Sequence, residues 1–420
     1  MQYQYDRLLK ICEVSLIFMA SMSLIFIFLL HVHIAMAHPR ASFERLYLPT
    51  PLVGPESLAF DWNGGGPYTG ASDGRILKYQ GPNLNFTEFA YTTQNRNRSQ
   101  CDGATDPSLQ SVCGRPLGIA FYYRTGELYI ADANNGLFVV GPNGGQATPL
   151  LNSVQGVPLK FLAGLDVDQT TGNSGFEYFC DYLIILFLLN NYGHSICYIL
   201  IVRHSFFNKK KEVNIDKILP MCSADCNIDI KLVNIKISTH SSREKSSNCS
   251  YTSIRSCRDI VGLVQSRDNT GSLFMYDPRT KQATVLLRNL SAAAGTAVSR
   301  DGSFVLVNEF LANRIQKYWL RGPRANTAQI LRSFPGKPDN IKKNANGHFW
   351  VAVSVLRDPP PPKPRMLPLG YRFNENGLVL QVVSFRGPYE TEAISEVQEM
   401  NGTLYAGSLH VNFAATMFRR

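Results

Sequence analysis

The sequence predicts an all-β fold made of repeated antiparallel units, and two patterns carry that prediction. A turn containing glycine opens into an apolar or aromatic run at several places along the 420 residues, and an apolar segment precedes each turn. Runs of about five β-branched and aromatic residues between Gly, Asn and Asp turns are typical of strands. Units of this size do not stand alone in water, so they need copies of themselves to pack against.

The clearest unit spans residues 295–320. It contains an apolar run, the turn dipeptide Asp301-Gly302 and two further strand-forming runs at 303–307 and 314–320. Asp-Gly is a strong hairpin signal. The same turn-and-strand pattern recurs at 125–130, 346–351 and 401–406, with weaker copies at 171–172 and 66–69.

Six turns, most of them spaced by roughly 40–50 residues, predict a six-bladed β-propeller with four antiparallel strands in each blade. The alternative is an all-β sandwich in which the spacing arose by chance. In closed propellers a terminal strand often completes the last blade, and the segment that approaches blade one, residues 38–53, is the candidate for it.

Residues 1–37 form a predicted targeting segment. Arg7 and Lys10 precede an apolar run at 14–30, and Ala35-Met36-Ala37 then supplies an A-x-A cleavage site before His38. This order is that of a secretory signal peptide. Because the apolar run is long for a signal peptide, an uncleaved membrane anchor is the alternative. Either interpretation places the folded part in the secretory pathway, in the lumen of the endoplasmic reticulum, in the vacuole or outside the cell.

The repeat pattern disappears at about 175–250, inside the third blade. An apolar run at 182–202 is broken by Asn190, Asn191, Gly193 and His194. The segment is far longer than an ordinary loop, and a membrane span here would place polar side chains at mid-bilayer. We therefore predict one propeller over 38–420 that is interrupted by a non-homologous insertion, and blade three then loses its second strand or borrows one from the insertion.

The composition narrows the class of partner. The formal net charge is +10 and 45% of the residues are apolar, which is ample for a core. Apart from one run at 209–211 the Lys and Arg residues are scattered, whereas nucleic-acid binding needs clustered basic residues with a recognition module. We expect a small-molecule ligand, no nucleic acid, and a monomer or weak oligomer. A membrane contact would involve only an uncleaved N-terminal segment.

A secretory location predicts modification of the chain. Acceptor motifs for N-glycosylation begin at Asn85, Asn97 and Asn289, and some of them should carry glycans. Cys101 and Cys113 fit a short disulfide loop, which is polar and contains Gly103. A zinc site is disfavoured, because the cysteine pair 222/226 lacks a second pair at suitable spacing.

Several segments, read together, resemble the plant strictosidine synthase-like family. They read GPESLAF at 54–60, CGRPLGIAF at 113–121, DGSFVLV at 301–307 and PDNI at 338–341. The resemblance covers about 43–174 and 257–417. It implies a six-bladed β-propeller, a disulfide in the 101–113 region and a ligand in the central channel.

The resemblance also implies a position for the acid of strictosidine synthesis. In that reaction one glutamate, within a His-Phe-Glu triplet before the last blade's turn, serves as general acid and base. Residues 393–395 read AIS here, so Ser395 stands at the acid position. Glu396 is adjacent, but alternation along a strand directs it to the opposite face. We therefore expect no true strictosidine synthase activity.

A second chemistry comes from the related gluconolactonase- and paraoxonase-type propellers, which hold calcium at the channel. Glu56 and Asp339 match two acidic ligands, whereas the asparagine position before Gly295 is Ala294. Asn340 follows Asp339 on the same predicted inner strand. Calcium takes about 6–8 oxygen ligands, so loss of one amide weakens the site without abolishing it. The alternative for Glu56 is a structural carboxylate satisfied by backbone N–H groups.

These patterns favour an enzyme of the hydrolase type, acting on an ester or lactone in the central channel, over amine–aldehyde condensation. The alternative is a propeller that binds a small molecule or a partner without catalysis, since fold alone does not fix function. The missing acid at Ser395 and the missing amide at Ala294 favour that alternative.

Overall fold

The structure is a computed structural model that describes residues 42–159, 161–172, 269–357 and 365–418. It also gives the backbone of three strands within 174–202. The predicted targeting segment and the greater part of the predicted insertion lie outside the described residues. The chain divides into two units, a larger one over Glu44–Thr416 and a smaller one that takes the residues at the two ends. The candidate site lies in the larger unit.

The described residues are organised as strands with a few short helical turns. The first twelve strands are β1 Ser42–Tyr47, β2 Leu58–Ala59, β3 Tyr68–Gly70, β4 Arg75–Tyr79, β5 Phe86–Tyr91, β6 Pro116–Tyr122, β7 Glu127–Asp132, β8 Gly136–Val140, β9 Gly145–Gln146, β10 Thr148–Leu151, β11 Ser153–Val154 and β12 Val157–Pro158. The next ten are β13 Leu162–Val167, β14 Ser174–Tyr178, β15 Ile184–Leu186, β16 Leu200–Val202, β17 Gly271–Asp277, β18 Gln282–Leu290, β19 Ala293–Val298, β20 Phe304–Glu309, β21 Arg314–Trp319 and β22 Ala328–Ser333. The last seven are β23 Lys337–Lys343, β24 Phe349–Leu356, β25 Met366–Phe373, β26 Val379–Ser384, β27 Glu396–Met400, β28 Thr403–Gly407 and β29 Phe413–Phe418.

These strands form an all-β propeller with five four-stranded sheets. We name the sheets in chain order by their first strands. Sheet two has the order β6-β7-β8-β10, sheet three β13-β14-β17-β18, sheet four β19-β20-β21-β22, sheet five β23-β24-β25-β26 and sheet six β27-β28-β29-β1. Sheet six therefore takes its outermost strand from the N-terminal segment, as expected for closure by a terminal strand.

Sheet one departs from the predicted blade. It has five strands in the order β2-β3-β4-β5-β9, and β9 joins parallel to β5, with Ala90 opposite Gly145. The prediction of six four-stranded antiparallel blades is therefore wrong in number, since five sheets fit it and sheet one does not. The physical reason is that the connection between β8 and β10 leaves sheet two and adds a short strand to its neighbour.

The first strand of each sheet packs against the first strand of the next. Contacts join β2 to β6, β6 to β13, β13 to β19, β19 to β23 and β23 to β27, while β28 contacts β2. Apolar side chains fill the space between successive sheets. For example, Phe304 and Ile315 of sheet four pack with Phe349 and Phe373 of sheet five. The segment FWVAVS at the start of β24 is buried at every position, as expected for a strand covered on both faces.

Sheet three takes its second strand from the start of the predicted insertion. β14 begins at Ser174, directly after the turn that contains Gly172, and pairs with both β13 and β17. Tyr178 lies opposite Ser272 in the β14–β17 ladder. Because opposed residues of antiparallel strands are about 5 Å apart, a loop of a few residues is long enough to join them.

We expect deletion of residues 179–250 to give a folded, soluble protein. Deletion of 174–250 should instead abolish folding, because it removes β14 and leaves β13 and β17 without their shared partner. Circular dichroism and thermal melts of the two purified variants test this. Equal behaviour of the two deletions would contradict the role assigned to β14.

The excursion between sheets one and two carries short helices and a disulfide. The helices are α1 Arg98–Cys101, a 3-10 turn at Pro107–Leu109 and α2 Gln110–Cys113. Cys101 and Cys113 are bonded, with their Cα atoms 5.4 Å apart, so the predicted disulfide is confirmed. A further single-turn helix, α3, spans Arg386–Tyr389.

The three glycosylation candidates are accessible. Asn85, Asn97 and Asn289 are all exposed, and the Asn97 side chain caps α1 by accepting from the Ser99 N–H at 3.0 Å. Within the described ranges, no helix is both long and apolar enough to cross a membrane.

Candidate functional site

The predicted site residues meet where the first strands of the sheets begin. Glu56 precedes β2 and Ser395 precedes β27, whereas Ala294 lies in β19 and Asp339 and Asn340 lie in β23. Ala294, Glu56, Asn340 and Ser395 are each at most 4% exposed. Direct contacts join three of them, since Asn340 bonds both Glu56 and the backbone of Ser395.

Glu56 is a buried carboxyl with one oxygen left over. Its Oε1 accepts a hydrogen bond from Asn340 Nδ2 at 3.1 Å, while Oε2 is buried and has no hydrogen-bond partner in the part of the chain that the structure describes. Burial raises the pKa of Glu56 well above its ordinary value, and the neighbouring Asp339 raises it further. A buried carboxylate without full compensation is costly, so Glu56 is suited to hold a proton or a cation.

Arg115 opposes this effect and is a residue that the sequence reasoning missed. Its positive charge lowers the pKa of Glu56, and its Nη2 donates to the Gly54 carbonyl at 2.9 Å. Gly54 has φ +77°, and a Cβ there would lie 2.3 Å from Nη2. Glycine is therefore required for the guanidinium to lie beneath the Glu56 segment.

Two amide oxygens in this region also lack donors. Among the described residues, Asn340 Oδ1 and Asn308 Oδ1 are buried without hydrogen-bond partners. The Asn308 Nδ2 donates to the Asp339 carbonyl, which ties β20 to β23. Buried polar atoms in native proteins are nearly always paired, so unpaired oxygens on contacting residues mark a place where a cation or water belongs.

The close approach of β19 and β23 depends on Gly295. A Cβ at this position would lie 2.7 Å from the Asn340 Cα and 2.9 Å from the Asp339 carbonyl oxygen. Only glycine fits here, and this contact holds the segment 339–340 in register with sheet four. The preceding Ala294 packs among apolar side chains that include Phe161 and Phe310, so the site has no amide at that position.

The polar groups of Ser395 are hydrogen-bonded to the backbone of other residues. Its Oγ accepts from the Leu409 N–H at 3.1 Å, its N–H donates to the Gly407 carbonyl at 2.9 Å, and its carbonyl accepts from the Asn340 N–H at 2.8 Å. The hydroxyl therefore stabilises the turn after β28. In the described part of the chain, no acid or base is hydrogen-bonded to it.

Glu396 points to the opposite face from Ser395, as strand alternation requires, and it enters the centre of the propeller. Its Oε1 accepts from the Leu58 N–H at 2.7 Å and its Oε2 from the Ser57 hydroxyl at 2.8 Å. Lys342 Nζ lies 3.5 Å from Oε2. Burial raises the pKa of Glu396, while Lys342 and the two hydrogen bonds lower it. Lys342 was missed in the sequence analysis, although alternation from Asn340 along the same strand is a signal that could have found it.

The donor set around Glu56 consists of oxygen atoms. No group of three or more His, Cys, Asp or Glu side chains suited to a metal occurs among the described residues. Instead, Asn340 bonds Glu56, Asp339 raises the pKa of Glu56, and Asn308 bonds the Asp339 backbone carbonyl, so the ligands that these side chains offer are carboxylate and amide oxygens. Hard cations such as calcium prefer oxygen ligands, amides included, so the unpaired oxygens fit calcium and do not fit zinc.

Comparison with solved structures supports the fold. A gluconolactonase from Xanthomonas campestris is 13% identical, matches with a TM-score of 0.51 and is aligned over 92% of this chain and 91% of its own. A luciferin-regenerating enzyme is 14% identical, with a TM-score of 0.50 over 90% of this chain and 95% of its own. At this level of identity the likeness concerns the β-propeller fold alone.

Comparison of sequences identifies the family. Residues 41–79 match the model "Strictosidine synthase-like, N-terminal" and residues 246–323 the model "Strictosidine synthase". Strictosidine synthase-like protein 12 of Arabidopsis thaliana is 36% identical over 90% of both chains. Strictosidine synthase of Catharanthus roseus is 35% identical over 87% of this chain and 84% of its own. The chain is thus a member of the plant strictosidine synthase-like family.

Proposed function

We propose that this propeller binds a small molecule at its central channel and hydrolyses an ester or lactone there. The observation that carries the proposal is the unpartnered Oε2 of Glu56, buried beside Asp339 and in contact with Asn340. A binding site needs convergent polar groups on a rigid frame, and the first strands of the sheets provide that frame.

Calcium is the cation that the residues fit. Glu56, Asp339, Asn340 and Asn308 would hold it, and Asn308 supplies an amide in sheet four where Ala294 does not. When bound, the ion would polarise the ester carbonyl and favour attack by water. The two carboxylates would balance its charge, which removes the cost of burying Glu56 in its ionised form.

The degree of burial indicates which residues would contact the ion and which would contact a substrate. Glu56 and Asn340 are only 4% and 2% exposed, so they are out of reach of a substrate and would contact an ion. Asp339 is half-buried and is therefore the member of the set that a substrate would reach. Arg115 would limit the electrostatic cost of two neighbouring carboxylates, because its positive charge favours the ionised form of Glu56.

Condensation of an amine with an aldehyde is disfavoured by Ser395. Its hydroxyl oxygen accepts from the Leu409 N–H, and a serine without a base does not shuttle protons near neutral pH. We therefore expect no detectable condensation of tryptamine with secologanin.

The proposal includes a compartment and a blade count. We propose entry into the secretory pathway, with residues 1–37 as the targeting segment and glycans at Asn85, Asn97 and Asn289. The disulfide Cys101–Cys113 supports this, because disulfides persist in oxidising compartments. We also propose that sheet one serves as the sixth blade of the ring.

The experiment measures turnover of aryl esters and of small lactones with and without a calcium chelator. We expect low activity that the chelator removes and that Asp339→Asn reduces at least tenfold, because one carboxylate charge is lost at constant size. Ala294→Asn should tighten calcium binding by restoring an amide. The matched control is Asp277→Asn, since Asp277 lies on β17 and pairs with Arg279.

Each outcome separates the candidates. Turnover that is insensitive to chelator and to both site changes would refute the calcium site. Calcium or ligand binding without turnover would favour the non-catalytic binding propeller. Strictosidine formation by the unmodified chain would overturn the interpretation of Ser395 and direct attention to Glu396.

A further inference from the structure

Lys342 reaches the centre of the propeller and joins four sheets there. Its ammonium donates to the Ile119 carbonyl at 3.1 Å and to the Leu165 carbonyl at 3.5 Å, and it lies 3.5 Å from Glu396 Oε2. Lys342 belongs to sheet five, the two carbonyls to sheets two and three, and Glu396 to sheet six. Glu396 extends the contact to sheet one, because its Oε1 accepts from the Leu58 N–H of β2.

The two carbonyls need a donor from outside their sheets. β6 and β13 are the edge strands of sheets two and three, so their inward backbone groups have no neighbouring strand. A buried carbonyl without a partner is destabilising. An ammonium group has three donors and no acceptor, and three acceptors surround it here.

Charge balance makes the arrangement specific. The Glu396 side chain is fully buried and that of Lys342 is 10% exposed. Neither charge is stable alone in this position, since an unpaired buried charge is strongly unfavourable. Methionine at 342 would fill a similar volume, but Glu396 would keep only its two hydrogen bonds without a positive charge, and both carbonyls would lose the ammonium donor.

We propose that the Lys342 ammonium is a built-in cation that closes the centre of the propeller, held in a site formed by the Ile119 and Leu165 carbonyls and the Glu396 carboxylate. Three acceptors, one of them a carboxylate, match the three N–H donors and the positive charge of a primary ammonium group. A free alkylammonium ion is therefore expected to occupy it when the lysine side chain is shortened. The charges of Lys342 and Glu396 also act on the pKa of Glu56, but this inference is tested by thermal stability and the ester hydrolase proposal by turnover, so the failure of one is distinguishable from the failure of the other.

The first test compares thermal unfolding of single and double variants of the full chain. Lys342→Met should lower the Tm by roughly 5–10 °C, because it breaks a buried ion pair. The matched control is Lys343→Met, since Lys343 is half-buried and donates to the Val298 carbonyl at 2.8 Å, with no carboxylate partner within the described ranges. The double variant Lys342→Met with Glu396→Gln should recover part of the loss. A Tm for Lys342→Met equal to that of the control, or no recovery in the double variant, would overturn the proposal.

The second test is chemical rescue of Lys342→Ala. Addition of n-propylammonium chloride should raise the Tm of this variant and leave that of the unmodified chain unchanged, because only the variant has a free site. n-Propanol has a similar shape without the charge, and tetramethylammonium has the charge without N–H donors. Rescue by n-propylammonium alone supports the proposal. Equal effects of the three additives would overturn it, and failure of n-propylammonium would do the same.

Discussion

Replacement of Gly295 by alanine should destabilise the protein several times more than an alanine placed at an open turn. The added Cβ would lie 2.7 Å from the Asn340 Cα and 2.9 Å from the Asp339 carbonyl oxygen. Both neighbours are backbone atoms, so neither escapes by a rotamer change. Overpacking of a rigid contact costs about 1–3 kcal/mol, and more where backbone must move. We expect a loss near the upper end of that range in urea unfolding.

The matched control is Gly141→Ala, because a Cβ at Gly141 would have no atom within 4 Å. It should change stability by no more than about 0.5 kcal/mol, as is usual for surface substitutions. Gly295→Ala should also weaken any calcium response, since the shift displaces the segment that carries Asp339. Equal stability of the two variants would show that β19 and β23 have room to separate.

Glu56→Gln should make the metal-free protein more stable at neutral pH. In chelator the native carboxylate is buried beside Asp339 with one oxygen unpaired, and the amide removes that charge at nearly constant volume. Calcium should raise the Tm of the unmodified chain by mass action but not that of the variant. The exposed Glu44 provides the control substitution Glu44→Gln, which should change neither quantity.

The pH dependence of this difference has a defined sign. The pKa of Glu56 is raised in the folded state, so the folded chain holds the proton more tightly than the unfolded chain. The stability that this proton contributes is fully present below the unfolded pKa and is lost as pH rises through the folded pKa. The advantage of Glu56→Gln should therefore shrink as pH falls to about 4, near the unfolded value. If Glu56→Gln were less stable than the unmodified chain at pH 7 in chelator, burial of the Glu56 carboxylate would not be the destabilising feature argued here.

Local turn chemistry explains how much of the fold was predictable. The turn glycines 126, 302, 347 and 402 all lie in hairpins between the first and second strands of their sheets, and each has positive φ. Glycine is favoured at these positions because it adopts positive φ without steric cost, and this requirement depends only on the four residues of the turn. Such turns can be predicted from the sequence without knowing which other strands pack against the hairpin.

The centre of the propeller was less predictable, because its contacts join residues that are far apart in the chain. Lys342 and Ile119 are separated by 223 positions, and no periodicity links them. Glu56 and Asp339 were matched through resemblance to related propellers, and Asn340 was found through its place on the same predicted inner strand. Arg115 and Asn308 carry no such signal, since an arginine before a strand and an asparagine at a strand end are most often structural.

The short strand β9 has a consequence for the behaviour of the protein at high concentration. It covers Ala90 and Tyr91 at the outer edge of sheet one, where β5 would otherwise present open backbone groups to a second molecule. Exposed edges of this kind template intermolecular pairing. The two residues of β9, which come from the segment between β8 and β10, therefore protect the outer edge of sheet one from self-association.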